Sequence, residues 1–68
     1  MPRWKDLRRF LDRNARFVRH GSDHDVYRYN GKTVRVSRSS SEIGPETWRD
    51  ILKHQLCITQ EEFNHGIY

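Results

Sequence analysis

The chain has 68 residues, 34% of them apolar, and 13 Lys+Arg against 9 Asp+Glu for a net charge of +4. That length allows one domain with a thin core, because a unit this small buries only roughly 60% of its unfolded surface. No apolar run approaches the roughly 18 residues of a membrane span, MPRWKDLRRF lacks the apolar stretch of a secretory signal, and Cys57 has no second cysteine for a disulfide or metal cluster, so the expectation is a soluble protein of the reducing cytoplasm with no membrane, metal or cofactor.

From Pro2 to Asn14, apolar residues fall at Trp4, Leu7, Phe10 and Leu11, one face of a helix with Arg3, Lys5, Arg8, Arg9 and Arg13 on its flanks and back. Pro2 suits the first turn, and Asn14 is placed to end the helix in a left-handed conformation. Three extended stretches follow. Phe17–His20 leads into the turn signal Gly21-Ser22-Asp23, and His24–Tyr29 stops at Asn30-Gly31, the strongest short-range hairpin signal. Lys32–Ser37 alternates, with Val34 and Val36 on one side and Thr33, Arg35 and Ser37 on the other. The expectation is an antiparallel three-stranded meander.

Arg38–Gly44 is polar and reads as a loop. Pro45 then opens a second helix with Trp48, Ile51, Leu52 and Leu56 on its apolar side, with Glu46 early and Lys53 and His54 late to complement its dipole. Thr59-Gln60-Glu61-Glu62 fits a capping box for a short last helix anchored by Phe63. The predicted class is α+β, in the order α-β-β-β-α plus a small terminal helix. Helices on one face of the sheet would leave the other free for a ligand. The two faces of the central strand carry Tyr27 and Tyr29 against His24 and Val26, and either could be the core. If the helices cover the tyrosines, His24 is displayed on the open face beside Arg28.

The charge is uneven. Residues 1–38 hold 11 cations and 4 acids, residues 39–68 only 2 cations and 5 acids, and ten of the thirteen cations are Arg. A guanidinium fork matches phosphate oxygens, so the first half suggests a polyanionic partner, above all nucleic acid, against the plainer reading of a solvated helix face. Among the histidines, His20, His54 and His65 read as surface residues, and no pair has a metal-ligand spacing. His24 differs. It starts the central strand with Asp23 and Asp25 on either side, which favours its charged form, and it suits proton transfer near neutrality. Direct pairing with both carboxylates is not expected, since strand neighbours point to opposite faces. Ser22 sits in a turn without a nucleophile-elbow pattern and reads as a backbone partner rather than a nucleophile.

The run from Phe17-Val18-Arg19 through Gly21-Ser22-Asp23-His24, then Asn30-Gly31-Lys32-Thr33-Val34-Arg35-Val36, Glu42-Ile43 and Thr47-Trp48-Arg49-Asp50-Ile51-Leu52-Lys53, resembles the HicA-type toxins, the small mRNA interferases of HicA–HicB toxin–antitoxin pairs. The resemblance spans Lys5 to Phe63. It implies a double-stranded-RNA-binding-like fold over residues 1–68, and a cytoplasmic endoribonuclease that cleaves mRNA without a metal. By the same resemblance the family's Gly-Ser-x-His element makes His24 the catalytic residue. A HicB-type antitoxin would shield it in a hetero-oligomer, while the toxin alone is a monomer. Expected RNA contacts are Arg19, Gly21, Ser22, Arg28, Lys32, Arg35 and Arg38, with Arg16 as a further candidate. Two departures stand out. Many members carry a proline and a basic-histidine pair where this chain reads Ser37-Arg38-Ser39, and Asp25 occupies a usually apolar position. The alternatives are a non-catalytic RNA- or DNA-binding module and a protein-binding regulator acting through the acidic second half.

Overall fold

A computed structural model describes residues 2–67. Helix α1 (Trp4–Asn14) begins where the Asp6 carboxylate accepts the Arg3 amide at 2.9 Å, and it buries Leu7, Phe10 and Leu11. It does not end in a left-handed residue. Ala15 is already extended (φ −131°), and the chain runs straight into β1 (Arg16–His20). Asn14 instead donates its side-chain amide to the Phe10 carbonyl at 2.9 Å and to the Gly66 carbonyl at 3.1 Å, tying the first helix to the last.

Strands β2 (His24–Tyr29) and β3 (Lys32–Ser37) fall where the alternation predicts them. Asn30 (φ 49°) and Gly31 (φ 78°) both take positive φ, the requirement of a tight hairpin turn that matches strand twist. The sheet is antiparallel in the order β1-β2-β3. Between β2 and β3 the register is regular from His24↔Ser37 to Tyr29↔Lys32. Between β1 and β2 it slips once, at a bulge between Phe17 and Arg19.

Helix α2 (Pro45–Asp50) continues without a break into a π-helical stretch (Ile51–Leu56). The sequence spacing predicts one α-helix here. The wider i→i+5 winding brings Ile51 and Leu56, both at most 2% exposed, to the same buried side, where a normal turn would rotate one of them away. Cys57 ends it in a left-handed conformation (φ 57°). The predicted capping box forms: the Thr59 amide donates to Glu62 and the Glu62 amide to the Thr59 hydroxyl, each at 3.1 Å, ahead of α3 (Gln60–Ile67).

One core cluster joins α1, the inner side of β2 and β3, Ile43, Trp48, Ile51, Leu56 and Phe63. Each such side chain contributes roughly 1.5–3 kcal/mol on burial. The architecture is α+β, with α1 in contact with all three strands and the π-helical stretch against β3. Tyr27, Val34 and Val36 face the helices, so the tyrosine side of β2 is the covered one. Among the described residues, no helix is long and apolar enough to cross a membrane.

Candidate nucleic-acid interface

Alternation along the strands decides what the other face displays. Residues paired across an antiparallel ladder share a face. The uncovered side therefore carries His24 opposite Ser37, Val26 between Arg19 and Arg35, and Arg28 between Arg16 and Thr33. His24 and the four arginines are exposed, and Val26 is buried beneath them.

At the β1–β2 turn these residues enclose a hollow of about 270 Å³. Arg19 and Arg35 stand on its flanks, Gly21, Ser22 and Asp23 form its rim, His24 lines it and Val26 is the apolar residue within it. The turn is tight. The Gly21 amide donates to the His24 carbonyl at 2.8 Å, and a Cβ at Gly21 would stand 2.6 Å from that oxygen, so no larger residue fits without moving the strand. The lining thus offers one imidazole, one carboxylate, one hydroxyl and two guanidinium groups around a concave surface.

Of the residues expected to contact RNA, Arg19, Gly21, Ser22 and Arg35 meet at His24. Arg28 lies on the same face opposite Arg16, its guanidinium donating to the Gly31 carbonyl at 3.3 Å, whereas Phe17 pairs with Tyr27 and packs its ring on it at the covered side. Lys32 pairs with Tyr29 and so stands on the opposite side, its ammonium 2.8 Å from the Cys57 sulfur. Arg38 is behind the turn. It donates to the Ser22 carbonyl at 2.7 Å, to the Gly21 carbonyl and, through Nε, to Asp25 at 3.2 Å.

Asp25 is what sequence reasoning missed. Its side chain is only 4% exposed and is held by Arg8, by Arg38 and by His20 Nδ1 at 2.7 Å. Burial raises its pKa. Hydrogen bonds from Arg8, Arg38 and His20, with the Arg8 charge, more than offset that and hold the carboxyl below its ordinary value. Arg8 also donates to the Ser37 carbonyl at 3.3 Å, so the cluster joins α1, the end of β1, the start of β2 and the end of β3. The signal was present: with Tyr27 and Tyr29 on one face, the two-residue period puts Asp25 there too. A carboxylate facing a core needs cations, and Arg8 lies next to Leu7 in the helix that covers it. Further along the same face, the Tyr27 hydroxyl donates to Asp12 at 2.6 Å, and burial, then this bond and the Asp12 charge, push the phenol up to about 12.

The chemistry open to this surface is binding of a phosphodiester by Arg19 and Arg35 with an exposed imidazole between strand and turn. No protein family, curated protein or solved structure matches the chain.

Proposed function

We propose that this protein is an endoribonuclease of the HicA toxin type, on a double-stranded-RNA-binding-like fold, acting on mRNA without a metal and neutralised by a HicB-type antitoxin that covers the same face. The observation that carries the reading is the exposed His24 in a hollow flanked by Arg19 and Arg35, on the sheet face the helices leave bare. The two guanidiniums neutralise the phosphate and stabilise the charge that builds on its non-bridging oxygens. In the displacement, the attacking 2′-hydroxyl or water loses a proton and the leaving oxygen gains one. His24 handles one of these transfers and a water the other, and such assistance contributes roughly 10²–10⁴-fold. Arg38 acts at one remove, by bonding the turn carbonyls that shape the rim.

The test is induction of the wild-type chain and of His24→Ala in growing cells, following growth and message decay. Arrest with rapid message loss for wild type, and neither for a folded His24→Ala, supports the reading. Arrest by both proteins without message loss favours a non-catalytic binding module instead.

A further inference from the structure

Arg16 and Arg19 are three residues apart, an odd step that in a regular strand points two side chains to opposite faces. Here they share a face. The bulge between Phe17 and Arg19 takes up Val18, so that Arg16 pairs with Arg28 and Arg19 with Val26, both on the uncovered side. We propose that four arginines form two successive phosphate sites. Arg19 and Arg35 hold the phosphate beside His24, and Arg16 and Arg28 hold the next one along the same RNA strand. The inference rests on the RNA-cleaving reading and deepens it, because the preferred substrate then presents at least two adjoining phosphodiesters.

Three observations carry it. Arg16 and Arg28 stand directly opposite each other on adjacent strands, a like-charge arrangement that costs stability unless an anion lies between them. Neither their row, which ends at Thr33, nor the row Arg19–Val26–Arg35 contains a carboxylate. The second observation is availability. Among the described residues, none of the four arginines has an ion pair. The guanidinium groups of Arg16, Arg19 and Arg35 make no hydrogen bond, and that of Arg28 makes one, to the Gly31 carbonyl. Arg8 and Arg38, by contrast, share the Asp25 carboxylate. The third is spacing. Val26 and Arg28 are one same-face step apart on β2, about 7 Å at strand rise, which matches the step between successive phosphates of an extended strand.

The bulge gives the arrangement its purpose. Without it, Arg19 would turn to the covered face and only one row would keep its pair of guanidiniums. An acidic protein also offers anions, but at irregular spacing. A nucleic acid repeats its charge at a fixed step along the chain, which is what two parallel rows of forks are built to meet.

The experiment compares three short RNAs as competitors of a labelled oligomer, by fluorescence anisotropy at low salt. They are a dinucleoside monophosphate, a trinucleoside diphosphate, and the same trinucleotide with its second linkage made an uncharged methylphosphonate. The full chain carries His24→Ala, so that RNA stays intact. The second charge is expected to tighten binding roughly 10-fold or more, the scale of one charge-assisted contact. With Arg16→Ala and Arg28→Ala together in that background, the gain is expected to fall to about twofold, the statistical advantage of two equal phosphates on one ligand. The methylphosphonate RNA then binds both proteins like the dinucleotide. The thermal midpoint does not fall, since the change removes facing like charges. A gain that survives the double substitution overturns the track, as does a parent protein that binds the charged and neutral trinucleotides equally. So does equal weakening for all three RNAs with a lowered midpoint, the mark of a structural role, or weaker binding of an acidic protein with the gain intact. If the gain is present but His24→Ala cuts RNA at the wild-type rate, the nuclease reading fails and the two phosphate sites stand. If the gain is absent and cleavage needs His24, the reverse holds.

Discussion

His24 and Asp25 are neighbours in the chain and opposites in the fold. One is exposed on a bare sheet face between arginines, and the other is buried on the covered face, held by Arg8, Arg38 and His20. The same contrast divides the arginines. Arg8 and Arg38 are bonded to Asp25, whereas Arg19 and Arg35 flank a hollow open to solvent. Composition sees ten equivalent guanidiniums; the pleat of one strand sorts them into those that hold the molecule together and those available to a ligand.

The largest effect that would sharpen this comparison is on stability. Asp25→Ala leaves Arg8 and Arg38 without their shared carboxylate, and the thermal midpoint by circular dichroism is expected to fall by about 10 °C or more. His24→Ala, an exposed truncation, is expected to shift it little. Equal shifts would erase the distinction between the two faces. The acid limb carries the same information. Asp25 has a native pKa below its ordinary 3.8, so its contribution is present above that value and is lost as pH falls through the lowered native one. Chemical denaturation between pH 5 and pH 2 should show a steeper loss in wild type than in Asp25→Asn.

Tyr27 gives an intermediate effect on the covered face. Tyr27→Phe removes the bond to Asp12 and is expected to cost about 1 kcal/mol, or about 4–8 °C in the midpoint. Its phenol ionises at about 12 when folded against an ordinary 10.0, so its share of stability is complete below pH 10 and lost as pH rises through about 12. Denaturation curves at high pH should show this loss in wild type and not in Tyr27→Phe.

The smallest effect on stability, and the most specific to the open face, concerns Arg19 and Arg35. Each change to Ala is expected to leave the midpoint nearly unmoved while lowering the slope of log binding constant against log salt by about 1, because one fewer phosphate is neutralised. Arg38→Ala should do the reverse, lowering the midpoint without a matching change in slope.

Local signals made much of this legible. Asn30-Gly31 announced its turn, Thr59 and Glu62 their cap, and the Val34–Val36 alternation its buried side, because each depends on residues a few positions apart. The sequence left open which face of β2 is covered, and packing by α1 decides that. The Asp25 cluster was harder. Its cations come from a helix 17 positions earlier and a loop 13 positions later, and nothing local distinguishes Arg38 as a brace for the turn from Arg35 on the flank of an open hollow. Asn14 suits a left-handed helix end because helices often stop so, yet here the sheet begins at once and draws Ala15 into an extended conformation.

The most direct test is cleavage of an end-labelled single-stranded RNA by the purified chain, with binding measured alongside. The account predicts that His24→Ala cuts at least about 100-fold more slowly while its affinity stays within about threefold of wild type. Cleavage by His24→Ala at the wild-type rate, or a wild-type chain that neither binds nor cuts RNA at low salt, would contradict it.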